Sequence, residues 1–201
     1  MNPSPKIAVQ ADQTKGWLFP DEGPLLFDAG IEAWSYGPLP EVGSYCGKSA
    51  LWLGHAAEQT GNILWAVDHH RGSPEMQLGH ENHDADVADE LGRIDTLPTF
   101  RRTIALAGLL DSVVPVVGES LIVANHWRMP LGLVFIDASH EAPAVHGDVQ
   151  AWERYLVVGG LMALHDCSDV GPLWAWDRLL ETDRYEHWRT VDTLRISRRV
   201  R

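Results

Sequence analysis

The chain has 201 residues, 45% of them hydrophobic and 22% charged, the balance of a globular domain with a sizeable core. A net charge of -12 repels phosphate backbones, so no nucleic-acid partner is expected. Two cysteines, Cys46 and Cys167, form neither a disulfide framework nor a zinc pattern, and no apolar run reads as a signal core or membrane span, which predicts a cytoplasmic protein with no membrane partner.

Residues 1–15 are polar and proline-bearing and read as a loose arm, and Gly16 to Pro20 as a docking segment. Leu25 to Trp34 suits a short helix. A βα rhythm then begins. Strand 39–43 is followed by helix 48–59, and strand 63–68 by the long polar segment 69–95 and helix 97–110. Strand 113–117 holds Pro115, which disfavours a central position. Helix 120–127, strand 131–137, helix 142–155, strand 157–164 and helix 172–180 continue the alternation. Strands at 187–191 and 194–199 close the chain, and the arginine-rich tail from Arg195 to Arg201 reads as an edge strand with solvated charges. This pattern predicts one α/β domain over 1–201: a doubly wound, mostly parallel seven-stranded sheet with an antiparallel C-terminal hairpin. Residues 1–37 form its N-terminal arm and helix, and 69–95 a lid loop over the substrate.

Ligands of such sheets gather at the carboxyl ends of the strands. The first end carries Glu41-Val42-Gly43-Ser44-Tyr45-Cys46-Gly47-Lys48-Ser49, where glycines permit a tight turn and close ligand approach, and the next helix opens with free amides. The spacing matches neither a dinucleotide fingerprint nor a Walker loop. Asp68 follows Gly47 by about 20 residues, a spacing suited to an acid on ribose hydroxyls. A turn glycine and a helix-capping acid explain the same residues without a cofactor. The fourth strand ends at Asp137-Ala138-Ser139-His140 and the fifth at His165-Asp166. Asp137, His165 and Asp166 can share a divalent cation, or the aspartates can simply cap helices while His165 bonds backbone. His140 can face the same cavity and accept a proton. His69, His70, His80 and His83 are ligand candidates or solvated loop residues.

Taken in order, Glu-Val-Gly-Ser-Tyr-Cys-Gly-Lys-Ser at 41–49, Ala-Val-Asp-His-His at 66–70, Val-Gly-Glu-Ser at 117–120, Phe-Ile-Asp-Ala-Ser-His at 135–140, Asp148 with Trp152, and Gly-Gly-Leu-Met-Ala-Leu-His-Asp at 159–166 resemble the class I S-adenosylmethionine-dependent methyltransferases. The closest likeness is to the small metal-dependent O-methyltransferases that include macrocin O-methyltransferase. The resemblance covers about two-thirds of the chain. It implies S-adenosylmethionine and a divalent metal, magnesium first, as cofactors. Glu41, Gly43, Ser44, Tyr45, Gly47 and Ser49 would hold the methionine end, Asp68 the ribose, and Gly118, Glu119 and Ser120 the adenine. Asp137, placed next to the cofactor, and Asp166 would bind the metal, and His140 would be the general base. Relatives carry a carboxylate where His165 stands, which leaves that third ligand and the metal open.

The compact size, the Gly16-Trp17-Leu18 arm and the loop after Asp68 are similar to sugar 1-O-methyltransferases of methylmannose polysaccharide synthesis. This implies a small-molecule or oligosaccharide acceptor, with the 1-OH of a methylated mannoside as one possibility. Trp17, His69, His70 and His140 are the substrate-contact candidates. A homodimer is expected because the arm and exposed tryptophans need partners. A metal-dependent hydroxylase, or a non-catalytic binding protein on a methyltransferase fold, are the alternatives.

Overall fold

The computed structural model describes residues 1–80 and 83–201. Seven strands form one sheet in the order β3-β2-β1-β4-β5-β7-β6. β1 (Leu39–Val42), β2 (Leu64–Asp68), β3 (Val113–Val117), β4 (Leu131–Ile136) and β5 (Leu156–Leu164) pair in parallel. β7 (Leu194–Arg199) runs antiparallel to both β5 and β6 (Tyr185–Val191). The doubly wound sheet with an antiparallel C-terminal hairpin is therefore as expected.

β4 shows why the strands are so apolar. Leu133 and Phe135 enter the core on one face of the sheet, and Val134 and Ile136 the core on the other. Each such side chain contributes about 1.5–3 kcal/mol on burial. Helices α1 (Pro5–Gln13), α2 (Glu22–Ala33), α3 (Lys48–Thr60) and α4 (Leu97–Ala107) cover the first face. Helices α5 (Ser120–His126), α6 (Ala142–Glu153) and α7 (Val170–Leu180) cover the second. α3 stops at Gly61, whose left-handed backbone (φ 66°) lets its N–H reach the carbonyls of Ala57 and Glu58.

Two expectations need correction. Residues 1–15 are not a loose arm: Pro5–Gln13 is helical. Ser4 caps it by accepting from the Lys6 amide, and Ile7 and Ala11 bury against the core. The arginine-rich tail is not the sheet edge either. β7 lies inside, between β5 and β6, because Leu194, Ile196 and Ser197 are fully buried. Its arginines reach out to partners: Arg198 pairs with Glu32 at 2.7 Å, and Arg199 donates to the Glu153 carbonyl at 2.9 Å. β3 is the opposite edge, where Pro115 is tolerated.

The described part of segment 69–95 holds two single 3-10 turns, Pro74–Met76 and Ala85–Val87, and one bridge, Ala88 to Ile94. Met76, Val87 and Ile94 form a small core with Cys46, so this loop packs on the loop after β1. Among the described residues no helix is long and apolar enough to cross a membrane.

Candidate functional site

The sheet order reverses between β1 and β4, whose chains leave in opposite directions and open a crevice at their carboxyl ends. On the β1 side, Glu41 shares a face with Leu39 and is completely buried. Neither carboxylate oxygen has a hydrogen-bond partner. Burial pushes its carboxyl up to about 8, and the flanking Ser49 and Ser44 hydroxyls offset this only in part. The buried Ser44 hydroxyl is likewise unpartnered. Gly43 (φ 87°) runs so close to β4 that a Cβ would strike the Asp137 carbonyl. Gly47 (φ 93°) precedes α3.

Asp68, at the end of β2, holds this loop in place. One oxygen accepts from the amides of Ser44 (2.8 Å) and Tyr45 (2.9 Å), and the other from that of His70 (2.7 Å). Those bonds explain how Tyr45 keeps a positive φ of 43°. The Gly118 amide donates to the Asp68 carbonyl at 3.1 Å, which brings the β3 end beside the β2 end. Glu119 is exposed there. The Ser120 hydroxyl turns away, donating to Asp148 at 2.6 Å and accepting from the Trp152 indole at 2.9 Å.

The β4 and β5 ends bring Asp137, His165 and Asp166 together, each offering one ligand atom within 4.8 Å of the others. His165 Nδ1 lies 3.1 Å from Asp137 Oδ1 and 3.2 Å from Asp166 Oδ2. Its Nε2 lies 2.8 Å from Glu22 of α2, which is fully buried. Glu22 also accepts from the Phe19 amide (2.8 Å), the Thr193 amide (2.9 Å) and hydroxyl (2.7 Å), and the Leu194 amide (3.0 Å). Burial opposes its ionisation, but the His165 imidazole, with the Thr193 hydroxyl and the Phe19 amide, outweighs burial and holds its carboxyl below the usual range. Burial likewise opposes the charged form of His165, yet Asp137, Asp166 and Glu22 raise it to about 12. Asp166 takes a left-handed backbone (φ 50°), which aims its carboxylate back at the cluster. Two carboxylates and an imidazole suit a divalent cation.

His140 is half-exposed at the mouth of the cluster. Its Nε2 lies 3.0 Å from Asp166 and its Nδ1 3.2 Å from Asp169. The bond to Asp166 raises its pKa above the ordinary value. Trp17 is exposed and its ring lies 5.2 Å from that of Tyr45. Tyr45 in turn donates to Asp84, which Lys15 holds at 2.7 Å. His69 sits at the surface, accepting from the Arg71 amide at 3.0 Å. His70 is buried instead, bonded to Thr96 at 2.7 Å and packed on Phe100, with Nε2 unpartnered.

Sequence reasoning passed over Glu22, Thr193, Asp148 as a bond partner, and Asp169. Asp169 carried a signal, an acid just before a helix and close after Asp166. Glu22 carried none, since apart from the Phe19 amide its partners lie far along the chain, at His165, Thr193 and Leu194.

A family described as a methyltransferase domain matches residues 41–167, more than half of the chain. Among solved structures, the O-methyltransferase NovP superposes with a TM-score of 0.72 at 16% identity, over 90% of this chain and 81% of its own. The O-methyltransferase TomG from Streptomyces achromogenes, involved in tomaymycin synthesis and solved with S-adenosylmethionine, gives 0.69 at 14% identity over 100% and 92%. An O-methyltransferase from Bacillus cereus, solved with S-adenosylhomocysteine, gives 0.68 at 14% over 98% and 92%. These likenesses bear on the fold, while the matched segment runs from Glu41 to Cys167 and so contains the strand ends that build the crevice. The chain belongs to this methyltransferase-domain family.

Proposed function

We propose that the protein is an S-adenosylmethionine-dependent, metal-assisted O-methyltransferase acting on a sugar hydroxyl, with the 1-OH of a methylated mannoside as the acceptor to test first. The observation that carries the reading is Glu41: a buried carboxylate with two unpartnered oxygens, two residues before Gly43 and on the strand beside Asp137. An amino-acid ammonium supplies the donors it lacks. The neighbours solved with S-adenosylmethionine or S-adenosylhomocysteine support the same cofactor here.

S-adenosylmethionine supplies an electrophilic methyl group, and a divalent ion supplies charge that acidifies a bound hydroxyl. Glu41, Gly43 and Ser44 hold the methionine end, with Tyr45, Gly47 and Ser49 shaping the same loop. Asp68 fixes that loop beside the ribose, and Gly118 to Ser120 border the adenine. Asp137, His165 and Asp166 hold the ion. His140 receives the acceptor's proton, and Asp166 beside Nε2 (3.0 Å) and Asp169 beside Nδ1 (3.2 Å) favour the imidazolium that forms. Trp17 offers an aromatic face to a pyranose ring, and Met76, Val87 and Ile94, packed on Cys46, help shield the crevice from water.

Calorimetry with S-adenosylhomocysteine, followed by transfer of labelled methyl to a panel of mannosides, tests this. Binding and sugar methylation are expected. A folded protein that does not bind S-adenosylhomocysteine would overturn the reading and favour a binding protein that keeps the fold. Binding with methylation of a non-sugar hydroxyl would remove only the acceptor class.

A further inference from the structure

The inference rests on the metal-assisted reading above and concerns which ion the centre takes. Both ring nitrogens of His165 face carboxylates, so a cation held by Asp137 and Asp166 would replace the proton on Nδ1 and take its lone pair, while the proton on Nε2 stays with Glu22. His165 Nε2 faces Glu22 at 2.8 Å. Glu22 cannot swing away, because four further donors from Phe19, Thr193 and Leu194 occupy its oxygens. Nδ1 is thereby left to face Asp137 Oδ1 at 3.1 Å and Asp166 Oδ2 at 3.2 Å. The ligand atoms of Asp137, His165 and Asp166 all lie within 4.8 Å of one another, so the three residues could hold one ion between them.

We propose that Glu22 is the positioning residue of this centre, turning His165 into an Nδ1 ligand so that the site selects a first-row transition ion such as manganese over magnesium. Magnesium prefers an all-oxygen shell, whereas an imidazole nitrogen strengthens binding along the transition series.

The test uses the full chain stripped of metal with a chelator. Manganese binding is read by electron paramagnetic resonance, cobalt by visible absorption, and magnesium by competition. The wild type should bind manganese at least about tenfold more tightly than magnesium. Glu22→Gln, which cannot accept from all five donors, should weaken manganese binding by about 10–100-fold while thermal unfolding stays cooperative. Thr193→Val removes one donor to Glu22 and should give a smaller loss in the same direction, which keeps the idea testable if Glu22→Gln fails to fold. His165→Asp should erase the preference for manganese. Equal or tighter magnesium binding by the wild type, or unchanged manganese binding in both Glu22→Gln and Thr193→Val, would overturn the inference and leave metal assistance standing. A folded wild type that binds none of the three ions would overturn both.

Discussion

The two sides of the crevice handle buried polarity in opposite ways. At the β1 and β2 ends, Glu41, the Ser44 hydroxyl and His70 Nε2 are buried without partners. At the β4 and β5 ends the buried His165 and Glu22 are met from several directions, His165 by three carboxylates and Glu22 by five donors. An unpartnered buried group costs about 1–3 kcal/mol, and more when charged. The first side is therefore incomplete until a ligand arrives, whereas the second is assembled in advance and held rigid.

That contrast can be broken experimentally. The largest effect belongs to the assembled side. His140→Ala should lower turnover by about two to four orders of magnitude, with S-adenosylhomocysteine affinity unchanged by calorimetry, because among the described residues the His140 imidazole pairs with Asp166 and Asp169. Unchanged turnover would remove His140 as the base.

Next comes Glu41→Gln, which should help the empty protein and harm the loaded one. The folded pKa of about 8 lies above the ordinary 4.5, so ionisation costs nothing in stability below about pH 4.5 and progressively more up to about pH 8. At pH 7 the cost is on the order of 3 kcal/mol. The variant should melt several degrees higher than wild type at pH 7 without cofactor. The gap should close near pH 4.5, and cofactor affinity should fall more than about tenfold. A lower melting point at pH 7 would mean that Glu41 is not an unsatisfied group.

The smallest effect sharpens the contrast from outside it. Ser120→Ala would strip both Asp148 and the Trp152 indole of a partner, for a loss of about 1–3 kcal/mol in denaturant unfolding. Activity at saturating cofactor should survive, since the hydroxyl faces α6 rather than the crevice.

The alternation of apolar strands and helices was readable because the central strands β1 and β4 are buried on both faces and the helices beside them pack an apolar side against the sheet. Glycine and aspartate at strand ends marked the crevice for the same reason: local backbone demands leave local residue signatures. Ser4 and Pro5 also announced α1, but the polar segment around them masked the buried Ile7 and Ala11. The order of β6 and β7 was not readable, because a hairpin gives no local sign of which strand faces the sheet. Burial of Ile196 and Ser197 decides it through contacts with β5. Glu22 was invisible on the same grounds, since nothing near it in sequence hints at a histidine 143 residues away.

The Glu22 contacts also set a timetable for synthesis. Glu22 Oε2 finds the Phe19 amide within the same turn of chain, yet its Oε1 waits for Thr193 and Leu194, the first of them 171 residues later. Until then Oε1 faces the interior without its donors, while Oε2 is already met by the Phe19 amide and, once β5 is made, by His165. Closure of the sheet by the last strand and completion of the chemical centre are thus a single late event, and a nascent chain stalled before β7 should expose both defects together.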